Sequence, residues 1–313
     1  MYDPFAPGPF AVNSRSVQAR DASRDRLFPC EIWYPEAAQP GSHPLILFSH
    51  HSGGSRLAST FLCTHLCSHG YVVAALDHSE TIATELGRPE NETAEQRTAR
   101  MEAILANRLL DIRFLLDQVL SITEFSLDPD RMGIVGHSLG GWTALATADS
   151  ELRIRAVVAL APGGASHPKP GIIPAKLSFA WGRDVPTLYL VAENDIATPL
   201  EGMYDIFERT PATKQMVILR RADHLHFIDN IEQAHEAART MTFPPELAWL
   251  QQEIRPIAEF CSGEQAHLFV RGLTLCHMDA TLRYQQEAQG FLAGDIAAEL
   301  AARGVDAIVP PTA

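Results

Sequence analysis

The chain has 313 residues, of which 46% are hydrophobic, enough to bury the core of one large α/β domain. Its formal net charge of -13, without any run of basic residues, argues against nucleic acid or an anionic membrane surface as a partner. No apolar stretch reaches the roughly 18 residues of a membrane-spanning helix, and the N-terminus lacks the basic start and apolar core of a signal peptide. Five scattered cysteines favour free thiols in a reducing compartment. We therefore expect a cytoplasmic protein, although a processed mature chain would share these features.

Apolar runs alternate with helical patterns along the chain. Strands are predicted at residues 28–34, 45–48, 71–76, 131–135, 156–161, 187–191 and 215–219. Helices are predicted at residues 57–68, 101–119 and 141–148, with a helical sequence from 228 onward that closes in one Ala/Leu/Glu-rich helix over 280–303. This alternation predicts a single α/β domain over residues 1–313, with a mostly parallel sheet flanked by helices on both faces and extra C-terminal helices.

The segment Gly136-His137-Ser138-Leu139-Gly140 matches G-x-S-x-G and lies between an apolar strand pattern and an Ala-rich helix pattern. Strand, tight turn and helix in this order are the context of a nucleophile elbow. A glycine two residues to either side of the serine lets neighbouring backbone approach closely. The amino end of the following helix stabilises developing negative charge. The pattern therefore predicts that Ser138 is a catalytic nucleophile.

A serine nucleophile needs a general base that is itself oriented by a carboxylate, and both belong in loops at the carboxyl ends of the strands. After an elbow, the acid precedes the histidine in chain order. Asp195 follows the strand at residues 187–191 and is the predicted acid. Glu193 is the nearest competitor, but it lies closer to the strand end, where it can serve packing or a hydrogen bond instead.

Two histidines compete for the role of base after the strand at residues 215–219. His224 comes first and precedes an apolar residue, which suits a base buried against the wall of the site. His226 is assigned as a supporting group or a substrate contact. A His-x-His metal pair is the alternative, but no carboxylate-rich cluster or third histidine at suitable spacing completes it. We therefore predict His224 as the base and no metal.

An oxyanion hole needs two backbone N–H groups aimed at the carbonyl oxygen of the substrate. The first is predicted at Leu139, directly after the nucleophile. The second is predicted in the loop Ser49-His50-His51-Ser52-Gly53-Gly54, where paired glycines let backbone approach a substrate, and Ser52 is the candidate donor. His51 and His137, like His226, are candidate substrate contacts.

Together these residues resemble the α/β-hydrolase superfamily, and most of all its dienelactone hydrolase and platelet-activating-factor acetylhydrolase group. The closer likeness rests on residues 28–35, on the loop after Phe48, where that group has Ser-His-Gly-x-Gly-Gly, and on Arg108 and residues 111–117 of the helix before the elbow. The likeness covers residues 28–227. The group's glycine after the first loop histidine is His51 here, and a histidine tolerates a positive φ less easily than glycine does.

The resemblance implies a serine hydrolase that attacks a small-molecule carboxylic ester, forms an acyl-enzyme and needs no cofactor. An amidase or peptidase of the same fold, an acyltransferase and a non-catalytic binding protein are the alternatives. Residues 78–100 and 228–276 are candidate lid or cleft-wall segments. The short distance from Ser138 to Asp195 leaves little room for a cap domain, so we expect an open or helix-flanked cleft. The sequence is equally compatible with a monomer and a homo-oligomer.

Overall fold

The structure is a computed structural model that describes residues 2–36 and 42–311. Its described residues form one nine-stranded sheet. The strands are β1 (Val12–Asp21), β2 (Arg26–Pro35), β3 (His43–Ser49), β4 (Val72–Leu76), β5 (Leu127–His137), β6 (Ile154–Leu160), β7 (Thr187–Ala192), β8 (Lys214–Leu219) and β9 (Ala307–Ile308). Their order across the sheet is β1-β2-β4-β3-β5-β6-β7-β8-β9. From β4 to β8 every pairing is parallel, and antiparallel pairs lie at both edges.

Helices cover both faces of this sheet. Those of the described residues are α1 (Thr60–Ser68), α2 (Ser79–Ile82), α3 (Ala94–Leu120), α4 (Leu139–Ser150), α5 (Leu200–Arg209), α6 (Ile231–Thr240), α7 (Ala248–Glu253), α8 (Gly263–Leu282), α9 (Gln286–Ala293) and α10 (Ile296–Ala301). Successive strand residues point to opposite faces, so Ile46 joins the core under α1 and α8 while Leu47 joins the core under α3, α4 and α5. The predicted fold class is confirmed.

The C-terminal region differs from the sequence prediction. The single helix predicted over residues 280–303 is wrong, because the chain forms α8, α9 and α10 there and then adds β9 to the sheet edge beside β8. Tyr284 has a φ of 55° and interrupts the first helix. Gly294 ends the second helix, and the Asp295 side chain caps the third by accepting from the N–H of Ala298. Helical propensity alone did not reveal these breaks.

Two long helices begin at capping boxes that fix their first turns. Thr93 and Gln96 exchange side-chain and backbone hydrogen bonds at the start of α3, and Ser262 and Gln265 do the same for α8. Helix α3 begins at Ala94, seven residues before the predicted start at residue 101 and within the candidate wall segment 78–100. Among the described residues, no helix combines the length and apolar character needed to cross a membrane.

Candidate active site

Ser138 occupies the turn between β5 and α4 in a strained conformation, with φ 57° and ψ -116°. A Cβ atom on Gly136 would lie 2.0 Å from the carbonyl oxygen of Gly140, and one on Gly140 would lie 2.0 Å from that of Ser49. Both positions therefore require glycine. The N–H of Ser138 donates to the carbonyl of Leu160 at 2.9 Å, and the carbonyl of Ser138 accepts from the N–H of Gly163 at 2.9 Å. The sheet and the following loop thus hold the elbow on both sides.

The three residues predicted from chain order meet in one hydrogen-bonded chain. His224 Nε2 lies 2.8 Å from Ser138 Oγ, and His224 Nδ1 lies 2.7 Å from Asp195 Oδ2. The loops after β7 and β8 bind each other, since Asn194 N–H donates to the carbonyl of Ala222 at 2.9 Å. This contact brings the acid and the histidine together although they lie 29 positions apart. The geometry is that of a nucleophile, a base and its orienting acid.

The protonation pattern of His224 follows from its two neighbours. Asp195 is 4% exposed and can only accept when ionised, so Nδ1 of His224 carries a proton and Nε2 faces the serine hydroxyl as an acceptor. Burial alone would lower the pKa of His224, but the charge and hydrogen bond of Asp195 outweigh it and raise the pKa above its usual range. The imidazole is therefore prepared to take a proton from Ser138.

The competing residues are engaged elsewhere. Glu193 accepts from Arg220 Nε at 3.2 Å and from the N–H of Arg221 at 3.0 Å, and the carboxylate that pairs with His224 is that of Asp195. His226 is fully buried and pairs through Nδ1 with Asp223 Oδ1 at 2.8 Å. Asp223 and the packing of Phe260 hold the ring inside the protein, which fits the supporting role that the sequence also allowed, and the role of His226 as a substrate contact stays a prediction.

Asp223 forms a buried cluster directly before the base. Its second carboxylate oxygen accepts from His235 Nε2 at 2.6 Å, which ties α6 to the turn that carries His224. Burial disfavours the protonated form of His226, but its hydrogen bond to Asp223 outweighs this effect and raises the pKa of His226 to about 9. The two histidines in turn lower the pKa of Asp223 below its usual range despite its burial. Sequence reasoning did not find this cluster, although an aspartate beside the histidine was a visible signal.

The loop after β3 lies against the first turn of α4, as the contact between Gly140 and Ser49 shows. His51 does not adopt a positive φ; Gly53 does, with φ 70°. Histidine at the position where the resemblance predicts glycine therefore causes no backbone strain. Leu139 is the first residue of α4, where helix N–H groups have no partner within the helix. The positions of Leu139 and Ser52 fit the two expected donors, and their role stays a prediction.

Two further histidines border the base. The His137 ring is 4.8 Å from that of His224 and 5.5 Å from that of His51, measured between centroids. Burial, together with the charges of its two neighbours, holds the pKa of His137 well below its usual range, so the ring is neutral. In the described part of the chain neither nitrogen of His137 has a hydrogen-bond partner. Both His51 and His137 remain candidate substrate contacts.

Within residues 2–36 and 42–311, one group of potential metal ligands lies below the oxyanion loop: His78, Glu80 and Asp111. Asp111 already accepts from Arg24 Nη1 at 2.6 Å, and Glu80 accepts from the guanidinium of Arg108. The two arginines neutralise both carboxylates. The group is therefore an ion-pair network and not a cation site.

Two of the concavities in the described part of the chain lie on the side of the sheet covered by α3, α4 and α5. A cavity of about 410 Å³ beside the acid turn is lined by residues that include Pro162, Ala165 and Thr198. A larger groove of about 830 Å³ runs between α3, residues 171–176 and Glu246. Its apolar floor includes Met101, Leu105 and Ile173, which pack against the same hydrophobic cluster as Leu139 and Trp142. The floor of the groove and the first turn of α4 therefore share one hydrophobic cluster.

Parts of both candidate wall segments close over this groove. Glu246, from the segment 228–276, accepts from Arg88 Nη1 at 2.8 Å and lies 3.4 Å from Arg97 Nη1, both from residues 78–100. Arg97 also donates to the carbonyl of Gly171 at 2.8 Å. Trp249 Nε1 donates to the carbonyl of Pro170 at 2.9 Å. Helix α7 has no buried residue, so polar contacts attach it to the domain.

Known proteins are similar in sequence to parts of this chain. The chain is 26% identical over 227 residues to cutinase est1 of Thermobifida alba, covering 72% of this chain and 66% of that protein. It is 26% identical over 167 residues to platelet-activating factor acetylhydrolase of Bos taurus, covering 41% of this chain and 37% of that protein. The chain thus spans less than two thirds of the length of either relative.

A solved structure shares the fold. The ferulic acid esterase from Streptomyces cinnamoneus superimposes with a TM-score of 0.65 over 90% of this chain and 93% of that one, at 22% sequence identity. The family model described as PET hydrolase-like matches residues 5–255, which contain the elbow, the acid and the histidine. The expected α/β-hydrolase relationship is confirmed, and the chain belongs to the PET hydrolase-like family.

Proposed function

We propose that this protein is a serine hydrolase of carboxylic esters. The observation that carries the proposal is the continuous hydrogen-bonded chain from Ser138 through His224 to Asp195, placed at a strained elbow beside the amino end of α4. Its relatives named as a cutinase and as acetylhydrolases, and a structural neighbour named as an esterase, support an ester as the substrate class.

The reaction proceeds in two halves. Ser138 Oγ attacks the ester carbonyl while His224 Nε2 takes the hydroxyl proton, and the N–H groups of Leu139 and Ser52 stabilise the resulting oxyanion. The intermediate collapses, His224 returns the proton to the leaving alcohol, and the acyl group stays on Ser138. Water then attacks the acyl-enzyme with His224 again as base, releasing the acid and restoring the serine. The residues of the chain supply every proton transfer, so the mechanism calls for no cofactor.

We further propose that residues 78–100 and 228–276 wall the substrate cleft within one domain over residues 1–313. The groove that Arg88, Arg97 and Glu246 close has an apolar floor and a charged rim, which suits an ester with an apolar portion longer than acetyl. The substitution Glu246→Lys replaces two ion pairs with repulsion between the new lysine and Arg88 and Arg97. We expect it to change KM for an octanoate ester by about threefold or more while acetate turnover stays unaltered. Glu236→Lys, on the exposed face of α6, is the matched control.

The cytoplasmic location also stands as a proposal. All five cysteines are free and buried, as expected for a chain that matures in a reducing compartment. Fractionation of the native cells, followed by detection of the protein with an antibody, tests this. Recovery outside the cytoplasmic fraction would contradict it.

Hydrolysis of p-nitrophenyl acetate, butyrate and octanoate beside the matching anilides tests the reaction. We expect turnover of the esters, weak or no turnover of the anilides, and loss of both in Ser138→Ala. Preferential turnover of the anilides would identify an amidase instead. Absence of turnover in all six assays, with a folded protein, would favour a binding protein.

A further inference from the structure

Arg108 is fully buried in α3 and directs its guanidinium at the oxyanion loop. Nη1 donates to the carbonyl of His50 at 2.8 Å, and Nη2 donates to the carbonyl of His51 at 3.3 Å. Nε donates to Glu80 Oε1 at 2.9 Å, so the positive charge is balanced by a carboxylate 7% exposed. The guanidinium of Arg108 therefore donates hydrogen bonds to two carbonyl oxygens of the oxyanion loop, those of His50 and His51.

The buried imidazole of His50 also donates a hydrogen bond to the carbonyl of His51. The backbone N–H of His78 donates to His50 Nε2 at 3.0 Å, so Nε2 is an acceptor and the proton of the neutral ring lies on Nδ1. His50 Nδ1 then donates to the carbonyl of His51 at 2.7 Å. Burial holds the pKa of His50 well below its usual range, which keeps this tautomer neutral.

These two side-chain donors, together with the backbone N–H of Gly54, which donates to the same carbonyl at 3.1 Å, fix the orientation of one peptide group. In a trans peptide the C=O and the next N–H point in opposite directions. Holding the carbonyl of His51 toward Arg108 and His50 therefore turns the N–H of Ser52 away from the interior. Among the described residues, no backbone carbonyl accepts a hydrogen bond from that N–H. It is left free to donate to a substrate.

Beneath the loop lies a second Ser-His-Asp arrangement with a different role. Ser49 Oγ is 2.8 Å from His78 Nε2, and His78 Nδ1 is 3.1 Å from Asp111 Oδ2. All three residues are fully buried, so no ester can reach Ser49. Asp111 is fixed by the N–H and hydroxyl of Ser79 at 2.8 and 2.7 Å. This arrangement anchors Ser49, from which the loop begins. It also fixes the backbone of His78, whose N–H determines the tautomer of His50.

We propose that Arg108 and His50 are positioning residues of the oxyanion hole, which act by clamping the His51 carbonyl so that the Ser52 N–H faces the substrate. The inference rests on the proposed ester hydrolysis. Neither side chain touches the reacting atoms. Their contribution comes from holding a donor that would otherwise have to reorient during each turnover.

The test uses a double variant that combines Arg108→Met and Glu80→Gln, so that the positive charge is removed without leaving an unpaired carboxylate. The control is Arg113→Met. Arg113 lies on the same helix with its side chain 51% exposed. We expect the double variant to lose about 10- to 100-fold in kcat, less than the loss of a whole donor, with KM nearly unchanged. Affinity for a trifluoromethyl ketone, whose adduct carries an oxyanion, should fall by the same factor.

His50 provides an independent variant should the double variant fail to fold. An asparagine amide can place an N–H near the position of Nδ1, so His50→Asn should retain much of the activity that His50→Leu loses. Folded variants whose kcat and inhibitor affinity stay within about threefold of the Arg113→Met control would overturn the proposal. If wild type and Arg113→Met fail to hydrolyse any ester, the proposed function itself is wrong, which is a separate result.

Discussion

Thr198 holds the carboxylate of Asp195 through both of its polar groups. Its backbone N–H donates to Oδ1 at 2.7 Å and its hydroxyl donates to Oδ2 at 2.8 Å, the same oxygen that meets His224. The acid is therefore oriented by its own turn before the histidine binds it.

Replacing Thr198 with valine should lower kcat/KM about tenfold, because one hydrogen bond to a charged acceptor is lost at nearly constant side-chain volume. Thr198→Ser keeps the hydroxyl and should stay close to wild type. Steady-state kinetics with a p-nitrophenyl ester measures both. Equal activity of the valine and serine variants would show that the hydroxyl does not orient the acid.

Asp195→Asn should lower kcat by about 10⁴-fold, since the amide no longer holds the base in its working tautomer. Asp195 also raises the pKa of His224, and activity needs the neutral ring. The rising limb of kcat/KM against pH should therefore lie above pH 6.5 in wild type and move to lower pH in the residual activity of the variant. Glu193→Gln is the control and should keep the wild-type profile. A large loss in the control instead would assign the acid to Glu193.

The Asp223 and His226 pair predicts a change of stability with pH. The pKa of His226 is raised from 6.5 to about 9 in the folded protein, so its stabilising contribution is complete below pH 6.5 and is lost as the pH rises through about 9. The thermal midpoint of His226→Gln should approach that of wild type between pH 7 and pH 10. His267 has a lowered pKa and is neutral across this range, so the difference for His267→Gln should stay constant. A constant difference for His226→Gln would contradict the pairing.

The backbone of Ser138 predicts an uncommon effect of glycine on stability. Relief of a left-handed strain is worth about 1–3 kcal/mol, which exceeds the roughly 0.4–1 kcal/mol by which glycine stabilises the unfolded chain. Ser138→Gly should therefore be more stable than Ser138→Ala by denaturant unfolding. The same two changes at Ser150, the last residue of α4, should give the opposite order. A less stable Ser138→Gly would mean that the elbow is unstrained.

The meeting of Ser138, Asp195 and His224 could be expected from sequence because each follows a buried strand of a parallel sheet. Strand ends lie at one edge, so chain order alone places the three side chains near one another. The choice between His224 and His226 depended on a single position, and the structure separates them by burial and by the pairing of His226 with Asp223.

The clamp of Arg108 on the oxyanion loop could not be expected in the same way. Arg108 and His50 are 58 positions apart and meet only because α3 packs over the end of β3. The resemblance drew attention to Arg108 but not to its contacts. The breaks near Tyr284 and Gly294 were missed for another reason, since the Ala/Leu/Glu-rich sequence favours helix on both sides of them.

The most direct test of the central claim is the intact mass of the protein after reaction with a fluorophosphonate, followed by peptide mapping. We expect one adduct per wild-type chain, located on Ser138, slow labelling in His224→Ala and no adduct in Ser138→Ala. An adduct that persists in Ser138→Ala, or a folded wild-type protein that remains unlabelled, would contradict the assignment of Ser138 as the nucleophile.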